Sequence, residues 1–159
     1  MEIIYVSTPK KSNFNYCSEI FENKKPLNGF NKMLEKVDLF DRIDEKEFWT
    51  KNVKFDEEII GELYLSYPFS VVVKEIIKFS SLHELIKEIR RTYQAIYELE
   101  KGTSLKQAMP MCEEDPSSPL MNRNKTNGVI GIWGHDIGDL VIESITLYEG
   151  NLVRVGIGS

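Results

Sequence analysis

The side chains best suited to chemistry crowd into residues 121–139, MNRNKTNGVIGIWGHDIGD. Arg123 can fork two hydrogen bonds onto a phosphate or carboxylate and Lys125 adds a point charge. Thr126, Asn127 and nearby turn amides supply the remaining donors of an anion cage. Trp133 offers a flat face for a ring to stack on, or an anchor for a protein surface. The His135 imidazole can donate a hydrogen bond or take a proton. Asp136, Asp139 and Glu143 follow at short spacing and could serve as acid, base or hard oxygen ligands.

Two function classes follow from these residues. The first is a non-catalytic binding or regulatory protein whose 121–139 loop captures an anionic, nucleotide-like small molecule or a protein partner. Arg123 and Lys125 then neutralise charge, Thr126 and Asn127 orient, Trp133 stacks and His135 donates. The second is a small hydrolase of phosphate esters or glycosidic bonds, with His135 or Asp136 as general base and Asp139 or Glu143 as acid or ligand.

The rest of the chain favours binding. Two histidines in 159 residues exclude a three-histidine metal site. His83 falls beside Lys87, Arg90 and Arg91 on a solvated helix face. No Gly-x-Ser-x-Gly elbow is present. Glycines 128, 131, 134 and 138 match neither the dinucleotide fingerprint nor the phosphate loop, so they read as turn formers and points of close approach. Asp136 reads as a local cap for backbone amides. Cys17 and Cys112 are too few for a disulfide framework and read as reduced thiols, and the acids beside Cys112 weaken its thiolate. Neither a cofactor nor a metal is expected.

A net charge of −5 and a pI near 5.2 oppose loose, charge-driven binding to nucleic acid or anionic membranes. Lys74, Lys78, Lys87, Arg90 and Arg91 could gather locally, but Glu84, Glu88 and Glu98 interleave with them as on an ordinary solvated face. The opening MEIIYVSTPKK lacks the pattern of an export leader, and no apolar run is long enough to span a bilayer. The expectation is one soluble domain over 1–159 in the cytosol, or in a host's cytosol if viral, with homo-oligomerisation left open.

Which elements must position the loop? The clearest is a helix over 82–101. Ser81 and Glu84 form a Ser-x-x-Glu capping box, and Leu82, Leu85, Ile86, Ile89, Tyr93, Ile96 and Tyr97 make one apolar stripe. Strands are expected near 2–7 (central or near-central), 70–79, 140–148 and 152–158, the last two joined at Gly150-Asn151 so that Tyr148 faces Val153 and Thr146 faces Val155. Shorter helices are expected at 29–37 and 56–66, the latter because Asp56 and its neighbouring acids resemble a helix start. Residues 10–28 read as a loop or a poorly packed helix, with no firm element expected, and 103–128 reads as a long loop. The fold class is α+β: a mainly antiparallel sheet with the long helix and shorter helices packed on one face.

Overall fold

The computed structural model describes residues 1–5, 13–38, 54–104 and 125–158. The chain runs β1 (Glu2–Ile4), α1 (Asn13–Phe21), β2 (Pro26–Asp38), β3 (Lys54–Leu65), β4 (Val72–Ser81), α2 (Leu82–Thr103), a 3-10 turn (Ile137–Asp139), β5 (Val141–Tyr148) and β6 (Leu152–Gly158). The strands form one six-stranded sheet in the order β1-β4-β3-β6-β5-β2. All neighbours are antiparallel except β3 and β6. The architecture is α+β, as expected. No helix among the described residues is long and apolar enough to cross a membrane.

Helix α2 forms where its periodicity places it, and every residue of the expected stripe is buried. The stripe lies on one face of the sheet, against Leu63 and Leu65 of β3, Ile77 and Phe79 of β4, Ile145 and Leu147 of β5, and Val153 of β6. At the helix start the Ser81 hydroxyl accepts from the Glu84 amide at 3.1 Å. The Glu84 carboxylate reaches one residue further back than a capping box does, accepting from the Ser80 amide at 2.6 Å and its hydroxyl at 2.7 Å. These two bonds, the hydroxyl's first, hold the Glu84 carboxyl below its usual range. Replacing Ser81 with Ala leaves one first-turn amide without its partner, so it is expected to cost about 1 kcal/mol. A lower urea midpoint with an unchanged slope is the corresponding measurement. His83, expected on the solvated face, is half-buried, and its Nδ1 has no hydrogen-bond partner among the described residues.

Strand register sends Tyr64, Arg154 and Tyr148 to the face opposite α2. There α1 contributes Phe21, whose ring meets Tyr64 edge-on at 6.1 Å and lies tilted on Tyr148 at 5.0 Å. The segment for which no firm element was expected therefore contains a helix that covers this end of the second face.

Several expectations are corrected. The helix expected over 56–66 is absent: residues 56–65 lie within β3. From Ile59 onward the strand alternates, with Gly61, Leu63 and Leu65 buried and Ile60, Glu62 and Tyr64 turned away from the core. Acids at 56–58 imitate a helix start, but β4 and β6 on either side supply partners that override that local signal. Gly61 is the informative residue: a Cβ there would come within 3.1 Å of the Asn151 carbonyl oxygen and 3.2 Å of the Phe79 ring. Residues 29–37 belong to β2, whose register against β5 shifts between Pro26 and Asn31 and again between Met33 and Val37. Such irregularities erase the period-two pattern that identifies a strand. Among the described residues the first strand is an edge strand paired only with β4, not a central or near-central one.

In the final hairpin Tyr148 pairs with Leu152 and Thr146 with Arg154, one residue off the expected register. The cause is Glu149, which is drawn into the turn: its amide donates to the Lys25 carbonyl at 2.8 Å and its carboxylate accepts from the Lys25 amide at 3.3 Å. The connection thus spans Glu149–Asn151, with Gly150 (φ 79°) and Asn151 (φ 58°) both left-handed. A one-residue change exchanges the two faces of a strand pair, which is why Arg154, and not Val155, stands beside Thr146.

Candidate functional site

Residues 125–133 fold back on themselves, with Lys125 bridging Trp133 and the Thr126 amide donating to the Ile132 carbonyl at 2.9 Å. The returning arm lies along 68–70, the segment after β3. There the Ser70 amide donates to the Gly131 carbonyl at 2.8 Å and the Trp133 amide to the Pro68 carbonyl at 2.9 Å. Gly131 has φ 67°, a left-handed conformation costly for side chains, and a Cβ at that position would stand 2.9 Å from Ser70 Oγ. The reading of these glycines as turn formers and points of close approach fits this geometry.

A buried carboxylate organises the loop from within. Glu100, near the end of α2, is fully buried. Its Oε1 accepts from the Ile130 amide at 3.0 Å, and its Oε2 accepts from the Gly131 amide at 2.8 Å and from the Thr126 hydroxyl. The Thr126 oxygen in turn accepts from the Ile132 amide at 2.7 Å. Among the described residues no cation pairs with Glu100, and the groups that compensate its burial there are amide and hydroxyl dipoles. Gly128 passes so close that a Cβ would overlap the carboxylate. Thr103 and Ser104 add outer ties: the Thr103 hydroxyl accepts from the Val129 amide at 3.2 Å, and the Ser104 hydroxyl donates to Asn127 Oδ1 at 2.7 Å.

This scaffold sets Trp133 and His135 around a hollow of about 260 Å³, completed by Ser66, Tyr67, Pro68 and Phe69. The Tyr67 and Trp133 side chains stay 41% and 42% exposed, unusual openness for large rings on a pinned backbone. His135 Nε2 lies 3.1 Å from the Tyr67 hydroxyl, and the two rings are 5.9 Å apart. Lys125 Nζ stands 5.5 Å from the centre of the Trp133 ring, a cation over its π-face.

Two phenols on α2 fix the backbone walls of this hollow. The Tyr93 hydroxyl donates to the Tyr67 carbonyl and the Tyr97 hydroxyl to the His135 carbonyl, both at 2.7 Å. Burial pushes both phenols far above their ordinary range, and for Tyr97 the nearby Asp136 and Asp139 add to it. The folded state thus holds these protons more tightly than the unfolded chain. Their contribution to stability is complete below the ordinary tyrosine value of 10.0 and is lost as pH rises beyond it. The melting temperature is therefore expected to fall steeply above about pH 10, and Tyr93→Phe and Tyr97→Phe variants should show a shallower alkaline fall.

The residues singled out from sequence have separate fates. Trp133 and His135 share the hollow, and Lys125 stands over the Trp133 ring. Thr126 is buried and its hydroxyl is committed to Glu100 and Ile132, while Asn127 faces the end of α2. Asp136 caps the 3-10 turn by accepting from the Ile137 amide at 2.8 Å, and Asp139 accepts from the Asp136 amide at 3.2 Å. Glu143 lies on β5 with its carboxylate against Gly158. Arg123 and most of the 103–128 loop lie outside the described residues. Among those described, no group of three or more His, Cys, Asp or Glu side chains could hold a metal ion.

Sequence reasoning missed Tyr67, Tyr93 and Tyr97 as wall-builders, and Glu100 as the organiser. Glu100 had a legible signal. It continues the buried spacing of residues 89, 93 and 96, so a carboxylate was due on the apolar face and had to find donors there. Tyr67 had none, because a tyrosine before a proline carries no pattern of its own. Compared with known proteins, the chain matches no family model, no curated protein and no solved structure, so its geometry alone carries the functional reading.

Proposed function

We propose that the chain is a small non-catalytic binding protein that captures a compact, ring-bearing anion, nucleotide-like in character, in the hollow between Tyr67, Trp133 and His135. One observation carries this reading: two large aromatic rings, each about two-fifths exposed, border a single hollow on a backbone pinned by Glu100, Tyr93 and Tyr97. Preorganised rings lose little freedom when a ligand enters. The volume of about 260 Å³ exceeds the roughly 150 Å³ that admits benzene. It suits one base or a comparable ring system, with the ligand's charged group outside, near Lys125. His135 and the Tyr67 hydroxyl supply polar recognition at the ring edge.

Hydrolysis is less well supported, since Asp136 and Asp139 each spend carboxylate oxygens on turn amides. The binding reading is tested by melting the protein against nucleoside monophosphates, with inorganic phosphate and ribose as controls. A ligand at a hundredfold excess over its dissociation constant adds about 2.7 kcal/mol. A shift with the monophosphates and none with either control is expected. Equal shifts with phosphate alone would contradict a ring-binding site.

A further inference from the structure

A second hollow lies where β3 and β6 part. Their parallel pairing covers Glu62–Tyr64 and Leu152–Arg154; beyond it β3 ends at Leu65 while β6 runs on to Gly158. The gap encloses about 250 Å³, with Cys17 and Phe21 of α1 on one side, Arg154 and Gly156 of β6 on another, and Ser66 and Tyr93 closing it. It shares Ser66 and Tyr67 with the first hollow, but its charge comes from a different residue.

That residue is Arg154. Its guanidinium lies 5.4 Å from the centre of the Phe21 ring, so an aromatic face covers one side of the plane. The nearby acid on this face of the sheet is Glu62, which already takes Lys74 at 3.4 Å and the Tyr64 hydroxyl at 3.1 Å. Among the described residues Arg154 has no carboxylate partner. A half-buried guanidinium stacked on a ring still has its planar edge of donors to satisfy, and that edge matches a carboxylate bidentately. The remaining walls are largely apolar, including Leu65, Val155 and Ile157. Burial pushes the Cys17 thiol up, more than its Ser66 hydrogen bond and Arg154 pull it down, so no thiolate competes for the guanidinium.

We infer that this hollow is a binding site for a small organic carboxylate with a compact apolar or aromatic body, anchored by Arg154. Size and lining set the class. The volume exceeds the roughly 150 Å³ that admits benzene, leaving room for a ring and its acid group. A single guanidinium above apolar walls suits one negative charge on a greasy body better than a hydrated phosphate.

The full chain, titrated with phenylacetate and followed by amide and arginine side-chain NMR, tests this. Saturable shifts centred on Ser66, Arg154 and Gly156 are expected, with phenylacetamide and inorganic phosphate each binding at least about tenfold more weakly. Arg154→Gln should weaken phenylacetate by about tenfold or more while its amide spectrum stays dispersed, and Arg154→Lys should fall between, keeping charge but losing the fork. Equal binding of acid and amide by the unaltered chain would overturn the inference, whatever the variants do. So would shifts centred on Trp133, an Arg154→Gln protein of full affinity, or no shift at all.

Discussion

Glu100→Ala is expected to destabilise the protein by about 3 to 5 kcal/mol, the range seen when a buried, hydrogen-bonded charge network loses its central member. Three donors converge on this carboxylate, from Thr126, Ile130 and Gly131. Truncation orphans all of them in a place where Glu100 and Thr126 are almost wholly shielded from water. Against a total stability of about 5 to 15 kcal/mol, the loss is large enough to show as a markedly lower urea midpoint. Glu100→Gln keeps the shape but points an NH₂ group at a donor, so a loss smaller than that of Ala, about 1 to 3 kcal/mol, is expected. Hydrogen exchange separates local from global damage. If the loop is released while the sheet survives, the Ile130, Gly131 and Ile132 amides exchange rapidly and those of β4 and β5 keep their protection. Unchanged protection at all three amides in Glu100→Ala would show that the carboxylate does not hold the loop.

Trp133→Ala is the second large effect, and it falls on binding rather than stability. A ring that is 42% exposed contributes little to the core, so a stability change under about 1 kcal/mol is expected. Stacking of a base on an aromatic ring is worth roughly 1 to 3 kcal/mol, which corresponds to about 5- to 150-fold weaker binding of a nucleoside monophosphate. Trp133→Phe should recover much of that loss, because stacking needs a π-face and not an indole N–H. Isothermal titration of the three proteins gives the comparison. Equal affinity in Trp133→Ala and the unaltered chain would remove the stacking wall from the account. The contrast with Glu100→Ala is informative in itself, since one residue builds the site and the other meets the ligand.

Much of this was written where side-chain spacing is regular. The α2 stripe and its Ser81 cap, β4, and the β5–β6 hairpin all follow from periodicity and turn chemistry, and the resulting α+β class survives errors elsewhere. β3 was hidden because acids at 56–58 mimic a helix terminus, and the partners that make it a strand lie some 20 residues ahead in β4 and far off in β6. β2 was hidden by its own irregular register. The hairpin register slipped because Glu149 answers to Lys25, a contact across 124 residues.

Of the residues singled out from sequence, Trp133 and His135 line the hollow and Lys125 stands beside Trp133. The far wall was illegible, since Tyr67 reaches the hollow only because the loop docks on the segment after β3. Thr126 shows the limit of reading residue type alone: a hydroxyl that suits an anion cage serves an internal anion, Glu100, instead.

Fluorescence of Trp133 tests the central claim most directly. The chain has two tryptophans, so Trp49→Phe leaves Trp133 as the reporter in the hollow. Titration with adenosine monophosphate should quench or shift its emission to saturation, and ribose 5-phosphate, which carries the charge without the ring, should leave it unchanged. Emission that ignores the nucleotide, or that responds equally to the ringless phosphate, would contradict a site in which Tyr67, Trp133 and His135 receive a planar ligand.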